Sequence, residues 1–189
     1  MKHERISIRY AKALYDLAEE MNISEKVFND MFIVEELFTY KNLSSVINNP
    51  VIKTAKKTAI INALLKDKIS ELSIKYLILV IRKQRECLLH GIAIKYISLY
   101  REKNNIKVAK FTSATPIDDT LKNVIKNTIQ NLLNCKTELV SKIDPKLIGG
   151  FIVSVDGKRY DASVKNKLDR LTKEFKTNIY EKGFWFFKN

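Results

Sequence analysis

Apolar residues recur every three or four positions through residues 1 to 105, and strand-like alternation is absent there, which predicts helices in succession. Tyr10, Ala13, Leu14, Leu17 and Met21 form one stripe on a first helix. Ser24 is placed to cap a second helix, whose inward face takes Val27 or Phe28, Met31, Val34, and Leu37 or Phe38. A short turn around Leu43 to Ile47 stops at Asn48-Asn49-Pro50, because the residue before a proline is pushed out of the α region. A fourth helix runs from about Lys53 to Leu65. The fifth begins near Ser70 with Leu72, Tyr76, Leu77, Val80 and Ile81, and its apolar character on nearly every side predicts a central position. The sixth runs from about Gln84 to Lys103, with Leu88, Leu89, Ile92, Tyr96 and Leu99 on one face, and ends in Asn104-Asn105. Five or six short helices in sequence predict a compact bundle.

From Ile106 the period changes from 3.6 to 2. Ile106 and Val108 alternate with Lys107 and Ala109, a short strand. Thr115-Pro116 marks a helix start, with Asp118 and Asp119 near the positive end of its dipole and Leu121, Val124, Ile125, Thr128 and Leu132 as its buried stripe. Adjacent helical side chains do not face one another, so the two aspartates read as capping rather than acid/base chemistry. Thr137 to Ile143 and Phe151 to Val155 are strand candidates, and Asp156-Gly157 signals a two-residue turn into Lys158 to Tyr160, giving a hairpin. A last helix starting near Ser163 sets Val164, Leu168, Leu171, Phe175 and Ile179 on one face, expected to pack on that hairpin. Lys165, Lys167, Asp169, Lys173 and Lys176 lie opposite. The aromatic tail Phe184 to Phe187 either folds back on the small domain or awaits a partner.

Composition narrows the function. The 189 residues are 46% hydrophobic and 29% charged, ordinary for a globular chain. The longest strongly apolar run, Tyr76 to Ile81, is far short of a membrane span. No apolar stretch follows Met1 to Arg5, so secretion is not expected and a cytoplasmic location is. Cys87 and Cys135 are far apart without a CxxC partner, and His3 and His90 have no ligand cluster, so two reduced thiols and no metal site are expected. The net charge of +13 is spread: residues 1 to 105 carry 18 Lys and Arg against 12 Asp and Glu, residues 106 to 189 carry 16 against 9. Without arginine forks or interleaved aromatics the charge reads as a solvated surface, not a nucleic-acid footprint.

Candidate chemistry is sparse. The glycines at Gly149-Gly150 and Gly157-Lys158 are separated by the strand Phe151 to Val155, and Arg159 stands where a phosphate loop needs Ser or Thr. They read as a bend and a hairpin turn, with Gly150 needing close backbone approach or an unusual dihedral. No GxSxG, HExxH or Cys-His pair is present, and no catalytic, cofactor-binding or metal residue is assigned.

Ile143-Asp144-Pro145-Lys146-Leu147-Ile148-Gly149-Gly150-Phe151-Ile152-Val153, continuing through Asp156-Gly157 to Tyr160-Asp161-Ala162-Ser163-Val164-Lys165-Asn166-Lys167-Leu168, closely resembles the C-terminal signature of ATP synthase delta subunits. This family includes the mitochondrial oligomycin-sensitivity-conferring protein. Arg9-Tyr10-Ala11-Lys12-Ala13-Leu14-Tyr15 is similar to the family's opening helix, and the Asn49-Pro50 break also matches. The tail Phe184 to Phe187 departs from the pattern. The resemblance implies a mainly α chain: a six-helix N-terminal bundle over residues 1–105, then a small α+β domain with a hairpin and a terminal helix over 106–189. It implies a non-catalytic stator subunit without cofactors, on the cytoplasmic face of a bacterial inner membrane. The bundle would hold N-terminal helices of alpha subunits of the catalytic head, in a groove between the first and fifth helices. The small domain would engage the C-terminal region of the b-subunit stalk. Nucleic acid is not an expected partner, and the membrane is one only through the complex. Tyr10, Leu14, Leu72 and Tyr76 are the groove candidates, core or contact, and Gly150, Leu168, Leu171 and Phe175 are those of the small domain. A nucleic-acid-binding helical bundle like the antitermination factors, or a small enzyme, would leave residues 143 to 168 unexplained.

Overall fold

The computed structural model describes residues 2–116, 118–133 and 135–178. The chain divides into two compact units, Met1–Asn104 and Asn105–Asn189. The first contains six α-helices: α1 (Lys2–Glu20), α2 (Ser24–Thr39), α3 (Lys41–Asn48), α4 (Thr54–Leu65), α5 (Glu71–Arg82) and α6 (Leu89–Lys103), with a 3-10 turn at Glu86–Leu88 before the last.

Both α1 and α2 pack on α6, α4 pairs with α5, and α2 reaches α5. The central helix is therefore α6 rather than the fifth. Leu89, Ile92, Ala93, Tyr96, Ile97 and Tyr100 are all buried on it, whereas Leu79 on α5 stays 49% exposed. The buried face of α1 is also rotated from the one expected. Ser7, Ala11, Leu14, Tyr15 and Ala18 are buried, while Ala13, Leu17 and Met21 are exposed. Small residues cause the rotation, because they let helix axes approach closely. A Cβ placed on Gly91 would stand 3.0 Å from Ser7 Oγ, so α1 and α6 approach closely at two small residues that lie outside the hydrophobic stripes.

Aromatic side chains fill the space around α6. Tyr15 meets Tyr96 at 6.0 Å, within the usual range for favourable ring pairs, and Phe28 stacks closely on Tyr100 at 4.2 Å. Tyr96, fully buried, donates its hydroxyl to Ser24 O at 3.2 Å, and burial, then Tyr15, pushes its pKa up. Ser24 does not cap α2 with its side chain; Ile23 holds the cap position, after Asn22 at φ 54°. Two buried polar anchors hold α4 and α5. Asp30 Oδ2 on α2 accepts from Ser70 N at 3.0 Å, from Ser73 Oγ at 2.6 Å and from Ser70 Oγ. Lys57 on α4 pairs with Glu86 in the 3-10 turn, their side chains 4% and 15% exposed.

The second unit is a mixed four-stranded sheet, β1 (Ile106–Ser113), β2 (Lys136–Ile143), β3 (Phe151–Val155) and β4 (Lys158–Asp161), in the order β2-β1-β3-β4. α7 (Asp119–Leu133) is the crossover between the parallel β1 and β2, as parallel neighbours require. β3 runs antiparallel to β1, and β3 and β4 form the hairpin. Asp156 at φ 50° and Gly157 at φ 77° supply the two left-handed residues that such a two-residue turn needs. β1 is longer than expected, and its buried side is Ala109, Phe111 and Ser113 rather than Ile106 and Val108. α7 begins at Asp119, three residues past Pro116, and Ile129 is its buried anchor while Val124 is 60% exposed. The side chains of Asp119, Leu121 and Leu132 lie outside the described residues.

α8 (Val164–Asn178) closes the described chain. Its expected apolar stripe is not packed on the hairpin: Val164, Leu168, Leu171 and Phe175 are 38%, 52%, 47% and 67% exposed. Ile179, the Lys176 side chain and the tail Phe184 to Phe187 lie outside the described residues.

Candidate docking surfaces

Helices α1 and α5 are joined through two tyrosines rather than through apolar interdigitation. Tyr76 Oη donates to Tyr10 O at 2.9 Å, and Arg85 Nη1 donates to Tyr10 Oη at 3.0 Å. The Arg85 guanidinium also stands 5.5 Å over the Tyr10 ring, a cation-π distance. Burial, and then Tyr10, pushes the Tyr76 hydroxyl pKa further above an ordinary value that already leaves it a neutral donor at physiological pH. Tyr10, Leu72 and Tyr76 are half-buried. Leu14 is only 1% exposed and belongs to the core, offering a partner no surface. Leu17 and Met21 follow Tyr10 on one side of α1 by helical spacing, and Leu79 follows Tyr76 on α5. They are 41%, 53% and 49% exposed. Leu17 and Met21 share the hydrophobic stripe with the buried Leu14, because helical spacing alone does not tell an outward apolar position from an inward one. The exposure of Leu79 had a signal, because α5 is apolar on more sides than a surface helix needs.

In the second unit the Gly149 to Asn166 signature forms a knot of local hydrogen bonds. Gly150 has φ +80°, and a Cβ there would lie 2.4 Å from Ala162 O. This is the close backbone approach that its sequence context requires. Ala162 N donates to Phe151 O at 2.9 Å and Val164 N to Gly149 O at 3.0 Å, which fastens the start of α8 to the entry of β3. Asp161 Oδ1 accepts from Ser163 N at 3.0 Å, Asn166 Nδ2 donates to Asp161 O at 3.0 Å, and Ser163 Oγ accepts from Asn166 N at 3.2 Å as the helix cap. Hydrogen bonds from Ser163, ahead of the one from Arg159, hold the Asp161 carboxyl below its ordinary pKa. The knot thus aims α8, and Leu168, Leu171 and Phe175 are left outward on it.

Among the described residues no group of three or more His, Cys, Asp and Glu could hold a metal ion, and no helix is long and apolar enough to cross a membrane. Cys87 is exposed and Cys135 half-buried, both as free thiols.

The family model described as ATP synthase delta (OSCP) subunit matches residues 6–175. A protein of Cytophaga hutchinsonii named ATP synthase subunit delta is 34% identical over 180 residues, covering 95% of this chain and 98% of that one. Its namesake in Bacteroides thetaiotaomicron is 33% identical over 174 residues, covering 90% and 93%. Among solved structures, a chain of the Toxoplasma gondii mitochondrial ATP synthase hexamer shares the fold with a TM-score of 0.63 at 22% identity, over 89% of this chain and 96% of that one. Matched over nearly its whole length, with a signature that the structure turns into one hydrogen-bonded knot, the chain belongs to the ATP synthase delta (OSCP) subunit family, the non-catalytic stator subunits of the peripheral stalk.

Proposed function

We propose that this chain fastens the alpha/beta catalytic head of an F-type ATP synthase to the b-subunit stalk, so that the head resists rotor torque. In this reading residues 1–105 act as one six-helix bundle that receives N-terminal helices of alpha subunits, and residues 106–189 receive the C-terminal region of the b subunit. The protein then sits peripherally on the cytoplasmic face of a bacterial inner membrane, attached only through its complex. The observation that carries the reading is the α1/α5 face. Tyr76 and Tyr10 bridge the helices by a hydrogen bond, while Leu17 and Leu79 remain about half exposed beside them. Apolar anchors at helical spacing beside a polar bridge suit helix-in-groove recognition. Tyr10, Leu72 and Tyr76 line this surface, and Leu168, Leu171 and Phe175 form the second one on α8.

The test is paired capture by the full chain. Leu79→Asp places a charge on an exposed position and spares the core, so capture of the catalytic head should fall by roughly tenfold or more. Capture of a soluble b-subunit fragment should be unchanged. Head capture equal to that of the parent chain would overturn the reading.

A further inference from the structure

The outer side of α5 carries more positive charge than its packing uses. Lys75, Ile78, Leu79, Arg82 and Lys83 line a concavity of about 460 Å3. Its apolar part is Ile78, half-buried, and Leu79, 49% exposed. Its rim is basic. Lys75 pairs with Glu71 on its own helix at 2.6 Å, whereas among the described residues neither Arg82 nor Lys83 has an ion-pair partner. Leu79 follows Tyr76 by three residues, so the concavity adjoins the Tyr76 bridge to α1.

We infer that the helix seated on this face is acidic as well as apolar, with carboxylates flanking the apolar positions that cover Leu79 and meeting Arg82 and Lys83. This rests on the docking reading above and names the partner's chemistry. Two unpaired cations beside the exposed Leu79 and the half-buried Ile78 favour an occupant that brings carboxylates and apolar side chains together. A nucleic acid strand would bring phosphates but would need aromatic platforms for its bases, and the concavity is lined by aliphatic and basic side chains alone. Rim charges of this kind govern partner choice and association rate.

The full chain is titrated with three synthetic amphipathic helices that share Leu at the buried positions and carry Glu, Gln or Lys on both flanks. The Glu helix should bind roughly tenfold more tightly than the Gln helix at about 50 mM salt, and the two should converge near about 500 mM as the charges are screened. The double variant Arg82→Glu with Lys83→Glu, both exposed positions, should reverse the order in favour of the Lys helix while its circular dichroism stays that of the parent. Equal binding of the Glu and Gln helices overturns the inference, as does unchanged Glu-helix binding after charge reversal. A single-stranded oligonucleotide that outcompetes the Glu helix, and is lost on charge reversal, overturns it too. If Leu79→Asp abolishes head capture while charge reversal alters neither peptide nor head binding, the docking reading stands and only the acidic partner falls. If head capture survives Leu79→Asp, the docking reading itself fails.

Discussion

Gly150 and Gly157 both have positive φ, at +80° and +77°, yet their surroundings separate what substitution does to each. At Gly157 an added Cβ meets nothing within 4 Å, so Gly157→Ala should cost about 1 kcal/mol, the left-handed penalty alone. At Gly150 the same methyl collides with Ala162 O at 2.4 Å and meets Ser163 Cα at 3.0 Å, both backbone atoms that cannot swing away. Gly150→Ala should cost about 3 kcal/mol, from backbone strain and overpacking together. Denaturant unfolding of the two variants should rank them in this order, and equal midpoints would contradict it. Asp161 lends the same knot a pH dependence. Its folded pKa lies below the ordinary value of 3.8, chiefly because Ser163 donates to it. The stabilisation is therefore fully present above that value and is lost as pH falls through the depressed one. The protection of the Ser163 and Asn166 amides against exchange, taken relative to the unfolded chain at the same pH, should fall below about pH 4 in the parent chain. In Asp161→Asn that protection should be lower already at neutral pH and should lack the acid step.

At the scale of elements, polar anchors set which helices stay together. Asp30 on α2 takes three hydrogen bonds from Ser70 and Ser73 at the start of α5, and all three residues are buried. Asp30→Ala strands those donors out of water. The expected loss is about 2 to 4 kcal/mol, far above that of an exposed helix-capping change. Thermal unfolding followed by circular dichroism reads it, and a loss equal to that of Ser98→Ala, at an exposed position on α6, would contradict the anchoring role. Sequence periodicity located five of these six helices, because helical spacing of Val27, Met31 and Val34, or of Leu88, Ile92 and Tyr96, is a local property of the chain, whereas α3, Lys41–Asn48, is too short to read as more than a turn. It did not orient α1. The face that meets α6 is built from Ser7, Ala11 and Ala18 as much as from Leu14, and a hydrophobic stripe gives small residues no weight. The sheet shows the same division. Local signals sufficed for the Asp156-Gly157 hairpin, whereas the parallel pairing of Ala109 with Leu139 depends on contacts thirty residues apart that no local pattern records. Of the candidate contact positions, Tyr10 and Tyr76 come together and Leu14 withdraws into the core, for the same reason that α1 is rotated.

The whole molecule is two units, and the docking positions proposed for it divide between them: the α1/α5 face in Met1–Asn104, the α8 stripe in Asn105–Asn189. Truncation separates the stability of the second unit from its binding. The outward exposure of Leu168, Leu171 and Phe175 means that most of α8 adds little to the packing of the sheet. The bonds that fasten its first turn, Val164 N to Gly149 O and Asn166 N to Ser163 Oγ, end at Asn166. A chain stopped at Asn166 keeps that knot and Phe111, the 2% exposed centre of the sheet, but loses Leu168, Leu171 and Phe175. It should therefore melt within a few degrees of the full chain, since removing exposed apolar groups changes folding free energy little. Head capture should persist, because a change in one separately packed unit is not transmitted to the core of the other. Capture of the b-subunit fragment should disappear. Retained stalk binding would move that site off α8 and onto the sheet. Joint loss of head and stalk binding, with the helical signal of α1 to α6 intact, would show that the two attachments are not divided between the units.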